Sequence, residues 1–119
     1  MKTAVVICPG RGTYTKAELG YLSRHFKDRA LLAGFDARRT ALGQETLTAL
    51  DSSPTYSVAK HTRGDNASGL IYAATLGDFR ALQGVQIAAV TGNSMGWYSA
   101  LACAGAVTAE AGFTIANTM

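Results

Sequence analysis

Two short apolar runs, each stopped by a glycine turn, constrain this chain more than any other feature. Ala4-Val5-Val6-Ile7-Cys8 ends at Pro9-Gly10, and the run from Val85 to Thr91 ends at Gly92. Continuous apolar, β-branched runs of this length read as strands buried in a parallel sheet, not as half-exposed strands of an antiparallel one. The stretch between them carries helical spacing, so the order is strand, helices, strand, helix, helix: an α/β chain. Only two strands are legible. A two-stranded parallel sheet leaves both edges open and buries a poor core. The last expected helix also runs to Met119 with neither a glycine cap nor a proline. The expectation is that residues 1–119 are one incomplete domain, part of a larger α/β core.

The helices are read from caps and spacing. Thr15 and Glu18 form a capping-box pattern, followed by Leu19, Leu22 and Phe26 on one helical face. Leu31, Leu32 and Phe35 continue it after a break. A helix is expected over 41–50, a turn at Asp51-Ser52-Ser53-Pro54, a polar loop from His61 to Asn66, and a helix over 66–82 stopped by Gly84. Trp97 to Cys103 reads as a helix, and Thr108 caps a last one.

Composition excludes several classes. Hydrophobic residues make up 48% of the 119 positions and charged residues 16%, which is globular chemistry rather than disorder. No run of 18 apolar residues is present, so no membrane helix is expected. The first apolar run is too short for a signal peptide and reads as a strand of a cytoplasmic protein. The net charge of +3 reads as a solvated surface, with Arg38-Arg39 the one adjacent basic pair and no basic stripe interleaved with aromatics, so no nucleic-acid partner is expected. Cys8 and Cys103 read as small buried hydrophobes. The carboxylates Asp28, Asp36, Glu45, Asp51, Asp65, Asp78 and Glu110 show no metal-ligand spacing and read as surface charges and caps; no metal is expected.

The chemistry is carried by Gly92-Asn93-Ser94-Met95-Gly96, a G-x-S-x-G segment between an apolar strand and a helix. Such a turn exposes the serine Oγ, and glycines two residues either side let the backbone pass close to its neighbours. The Met95 N–H, at a helix start, is placed to donate to the oxyanion formed when Ser94 attacks a carbonyl. The plainer alternative is that Ser94 only caps the following helix.

The run Gly92-Asn93-Ser94-Met95-Gly96-Trp97-Tyr98-Ser99-Ala100-Leu101-Ala102-Cys103-Ala104-Gly105-Ala106 resembles the nucleophile segment of the malonyl-CoA:acyl carrier protein transacylases, G-H-S-[LM]-G-E followed by Y-[AS]-A-L and a small-residue A-G segment. The acyltransferase domains of polyketide and fatty acid synthases share it. Cys8-Pro9-Gly10-Arg11-Gly12 is similar to the family's F-x-G-Q-G after the first strand, and the 82 positions from Gly12 to Ser94 match the family spacing. The resemblance implies the first part of a hydrolase-like parallel-sheet acyltransferase core, the family's ferredoxin-like subdomain lying outside the chain.

By the same resemblance, Ser94 is the nucleophile and the backbone N–H groups of Arg11 and Met95 form the oxyanion hole. Gly10, Asn93, Trp97 and Met119 flank the substrate. The substrates implied are an acyl-CoA and the phosphopantetheine thiol of an acyl carrier protein, with ping-pong transfer and no bound cofactor. Asn93, Trp97, Cys8 and Arg11 depart from the family's histidine, glutamate, phenylalanine and glutamine. Met119 stands where malonyl-selective members place an arginine, and no arginine lies between Ser94 and Met119. A methionine cannot pair with a carboxylate, so a non-carboxylated acyl group is expected. The family's catalytic histidine lies beyond this chain. His25 is expected on a helix surface and His61 in a solvated loop, so the base is expected from the remaining part of the acyltransferase, on the same or a separate chain. Two alternatives stay open: a serine esterase or thioesterase with water as acceptor, and a non-catalytic acyltransferase-like remnant.

Overall fold

A computed structural model describes residues 2–118. Strand β1 (Lys2–Cys8) and strand β2 (Val85–Gly92) pair in parallel, with Lys2 opposite Val85 and Cys8 opposite Gly92. The register slips between Ala4 and Val5, leaving Ala88 as an extra residue in β2. Between the strands the chain forms a 3₁₀ turn (Lys16–Glu18) and helices α1 (Tyr21–His25), α2 (Arg29–Ala41), α3 (Leu47–Asp51), α4 (Val58–His61) and α5 (Gly64–Arg80). After β2 come α6 (Gly96–Cys103) and α7 (Ala109–Asn117).

The core lies among the helices, not on the sheet. Helix α5 is its axis: residues 66–73 are all buried, and α1, α3, α6 and α7 pack around it. Phe35 of α2 stacks on Phe113 of α7 at 4.2 Å between ring centroids, and Tyr72 of α5 meets both rings edge-on at 5.9 Å. The Tyr72 hydroxyl donates to the Ala109 carbonyl at 2.7 Å, tying α7 to α5. Helix α6 covers one side of the strands.

Several expectations are corrected. The strands are not buried on both faces: Val5 is 59% and Ile7 71% exposed, because α6 is the main helix laid on the sheet. The Thr15–Glu18 capping box is present, but it caps only a 3₁₀ turn, since Gly20 at φ +84° breaks the chain before α1. No helix spans 41–50. Helix α2 stops at Ala41, Gly43 turns the chain at φ +74°, and α3 starts after Thr46, whose hydroxyl accepts from the Ala49 N–H. The stretch 61–66 is not a loop; it holds the end of α4 and the start of α5. Arg39 is not solvated but fully buried. Its guanidinium donates to the Glu45 and Asp65 carbonyls and to the side-chain oxygens of Asn66 and Asn117. Cys103 is only partly buried. Thr108 does cap α7, accepting from the Ala111 N–H at 3.0 Å. Among the described residues, no helix is long and apolar enough to cross a membrane.

Candidate active site

The end of β2 delivers Ser94 to a turn that only close backbone packing can form. A Cβ on Gly92 would lie 2.2 Å from the Gly96 carbonyl, and one on Gly96 would lie 2.2 Å from the Cys8 carbonyl oxygen. Real Cβ atoms do not approach that closely, so both positions admit glycine alone. The Asn93 N–H donates to the Cys8 carbonyl at 3.1 Å, hinging the turn on the end of β1. Ser94 has φ +57°, and it is the one non-glycine residue at positive φ among those described. A side chain held in this left-handed conformation costs of order 1 kcal/mol or more, which the surrounding packing must offset.

The alternative that Ser94 merely caps a helix does not hold. Helix α6 starts at Gly96, Met95 takes the cap position, and no side chain caps it. Ser94 is exposed, and its Oγ makes no hydrogen bond among the described residues. The turn tightens through the Gly96 N–H to the Asn93 carbonyl (2.9 Å) and the Trp97 N–H to the Ser94 carbonyl (3.1 Å). The Met95 N–H takes no part in these bonds; its side chain is 4% exposed and anchors in the core.

The first loop comes to the same place. A Cβ on Gly10 would lie 2.7 Å from the Asn93 carbonyl oxygen and 3.1 Å from Ser94 Cβ, so the Pro9–Gly12 segment rests directly on the turn. Gly10 is buried, while Arg11 next to it is exposed at the loop tip. The fold thus brings together Gly10, Asn93, Ser94 and Met95, with Trp97, 56% exposed, on the first turn of α6. Met119 lies outside the described residues.

Neither histidine is hydrogen-bonded to Ser94. His25 is exposed on α1 beside Tyr21, as expected. His61 is not in a solvated loop: it is 1% exposed, with Nε2 2.9 Å from the Leu50 carbonyl and Nδ1 accepting from the Ser57 N–H at 3.1 Å. Both ring nitrogens are therefore occupied by backbone. Burial pushes the Cys103 thiol up to about 12 and raises Cys8 as well, so both stay protonated and weakly nucleophilic at neutral pH.

A buried polar cluster lies behind the first loop and has no sequence signature. The Tyr14 hydroxyl donates to Asp51 Oδ1 at 2.6 Å. Asp51, 2% exposed, also accepts from the Leu22 and Ser23 N–H groups at 3.2 Å. Burial first, and the Asp51 carboxylate second, hold the Tyr14 phenol well above its usual range. Tyr56 donates to the Tyr14 carbonyl at 3.1 Å and stacks on His61 at 4.8 Å. The partners are 37 and 42 residues from Tyr14, so no local pattern marks them. Beside this cluster, between β1, α1 and α5, lies an apolar cavity of about 390 Å³, lined by Pro9, Thr13 and Tyr14 but not by Ser94.

No protein-family model matches the chain, and no curated protein does. A solved structure that matches is the acyl-carrier-protein S-malonyltransferase of Burkholderia pseudomallei 1710b, at a TM-score of 0.70 and 24% identity, covering 98% of this chain. The chain spans 37% of the length of that protein. Its fold is that of the matched part of an acyltransferase α/β core.

Proposed function

We propose that the chain supplies the nucleophile-bearing part of an acyltransferase that moves an acyl group from acyl-CoA to the phosphopantetheine thiol of an acyl carrier protein. The observation that carries this reading is Ser94 at φ +57° on a strand–helix turn, exposed and uncapped, seated on glycines that no larger residue could replace. The likeness in fold to an acyl-carrier-protein S-malonyltransferase supports transfer over hydrolysis.

In this reading Ser94 Oγ attacks the thioester carbonyl carbon. The oxyanion is met by the N–H of Met95 and that of Arg11, a backbone donor whose side chain is free to differ. The C–S bond breaks, the CoA thiol leaves with a proton, and an ester on Ser94 remains. The carrier thiol then attacks that ester and regenerates the serine. The base that takes the Ser94 proton comes from the remaining part of the acyltransferase, which also covers the exposed face of the sheet. Gly10, Asn93 and Trp97 border the acyl group. Met119 in the arginine position favours a non-carboxylated donor.

Intact-mass spectrometry after incubation with acetyl-CoA, and separately with malonyl-CoA, tests this. The expected result is an acetyl adduct that is absent in Ser94→Ala, with less or no malonyl adduct. Release of free acid with no thiol acceptor would favour a hydrolase. Failure of both donors to label Ser94 in a sample shown by the same spectra to contain a co-purifying second chain would favour a non-catalytic remnant.

A further inference from the structure

We infer that Tyr14 and Asp51 are a positioning pair that holds the Gly10–Thr13 loop, and with it the Arg11 N–H, against Ser94. The inference rests on the acyltransferase reading for its catalytic consequence, but not for its structural one. The loop itself has little to hold it. Arg11, Gly12 and Thr13 are all exposed, Gly12 sits at φ +100°, and the one internal side-chain bond runs from Thr13 Oγ1 to the Gly10 carbonyl at 3.2 Å. Short exposed segments of this kind open easily unless their ends are fixed.

Its two ends are fixed differently. At the Gly10 end, the loop abuts the Asn93 carbonyl and Ser94 Cβ. At the other end, Tyr14 is 4% exposed and held at three points: the hydroxyl by Asp51 Oδ1 at 2.6 Å, the carbonyl by the Tyr56 hydroxyl at 3.1 Å, and the ring parallel to that of His61 at 6.3 Å. Asp51 is itself immobilised. Helix α1 has Gly20 at its cap, with no side chain to accept from the first-turn amides. Asp51 does so instead, accepting from Leu22 and Ser23, while its own carbonyl accepts from the Gly20 N–H at 2.8 Å. One carboxylate therefore fixes both α1 and Tyr14, and Tyr14 lies three residues past Arg11.

An oxyanion donor acts only when aimed at the charge as it develops, and an error near 1 Å costs on the order of 100-fold in rate. Loss of the Tyr14 hydroxyl is expected to loosen the loop without removing any group that touches substrate. The test compares wild type, Tyr14→Phe, Asp51→Asn and Tyr21→Phe, the last removing an exposed hydroxyl bonded to Asp78 at 2.6 Å as a matched control. Two quantities are read: the rate of tryptic cleavage after Arg11, which requires the loop to open, and the rate and half-saturation of Ser94 acylation by acetyl-CoA, with any co-purifying chain retained.

In Tyr14→Phe, cleavage after Arg11 is expected to speed up about tenfold or more, and acylation to slow ~10- to 100-fold at saturating donor, with half-saturation changed less than about threefold. Asp51→Asn, which keeps Oδ1, is expected to give a smaller change in the same direction, and Tyr21→Phe none. Acylation at the wild-type rate in Tyr14→Phe would overturn the inference while leaving the acyltransferase reading standing. If wild type does not acylate, that reading falls, and cleavage alone decides: an unchanged rate after Arg11 in Tyr14→Phe overturns the pair's positioning role, a faster rate confined to that bond upholds it.

Discussion

A methyl group at position 96 would sit 2.2 Å from the Cys8 carbonyl oxygen and 2.8 Å from that of Pro9. Both obstacles are backbone, so no rotamer change relieves the overlap; α6 would have to lift from β1. Gly96→Ala is therefore expected to destabilise the chain by about 3 kcal/mol or more, read as a lowered urea midpoint. Ser94→Ala makes the useful contrast. The serine is exposed and its Oγ has no partner among the described residues, so this change is expected to remove the acyl adduct while leaving the urea midpoint nearly unchanged. The seat and the nucleophile are thus separable at single residues, one governing stability and the other chemistry.

Arg39 shows how one side chain can join elements distant in sequence. Its fork spans α2, the segment before α3, the start of α5 and the end of α7 through four acceptors, none of them a carboxylate. Lysine carries a point charge with three donors and cannot serve four acceptors spread around a plane. Arg39→Lys is expected to cost about 2 kcal/mol, measured by urea unfolding. This residue also marks where sequence reading stops. Both strands, α6, α7 and the G-x-S-x-G turn were legible because their signals are local: β-branched runs, a capping threonine, paired glycines. Arg39, His61 and Asp51 looked like surface residues because each is buried by partners 4 to 78 positions away, most of them far outside any local pattern. The helix breaks at Gly20 and Gly43 were missed because apolar spacing continues across them, while the left-handed backbone that ends each element is invisible to periodicity.

At the scale of the molecule, a helical core is joined to a sheet that one helix mainly covers. Ile7 is 71% exposed, so Ile7→Arg is expected to leave the unfolding free energy, read by urea titration, within about 0.5 kcal/mol of wild type. On the acyltransferase reading proposed above, it is also expected to weaken capture of a complementary acyltransferase segment in a pull-down, since such a segment would seat on this face. The parallel pairing of Cys8 with Gly92 has a further consequence, in time. The first strand leaves the ribosome more than eighty residues before the second. At roughly 5–20 residues per second it waits on the order of 4–17 s for a partner. Throughout that interval the side of β1 that β2 will pair is without β2, and the Cys8 carbonyl that will hinge the serine turn has no Asn93 N–H to receive. The nucleophile's geometry therefore cannot form before β2 has been made, and synthesis of the α5–β2 segment sets the earliest moment at which Ser94 could be competent.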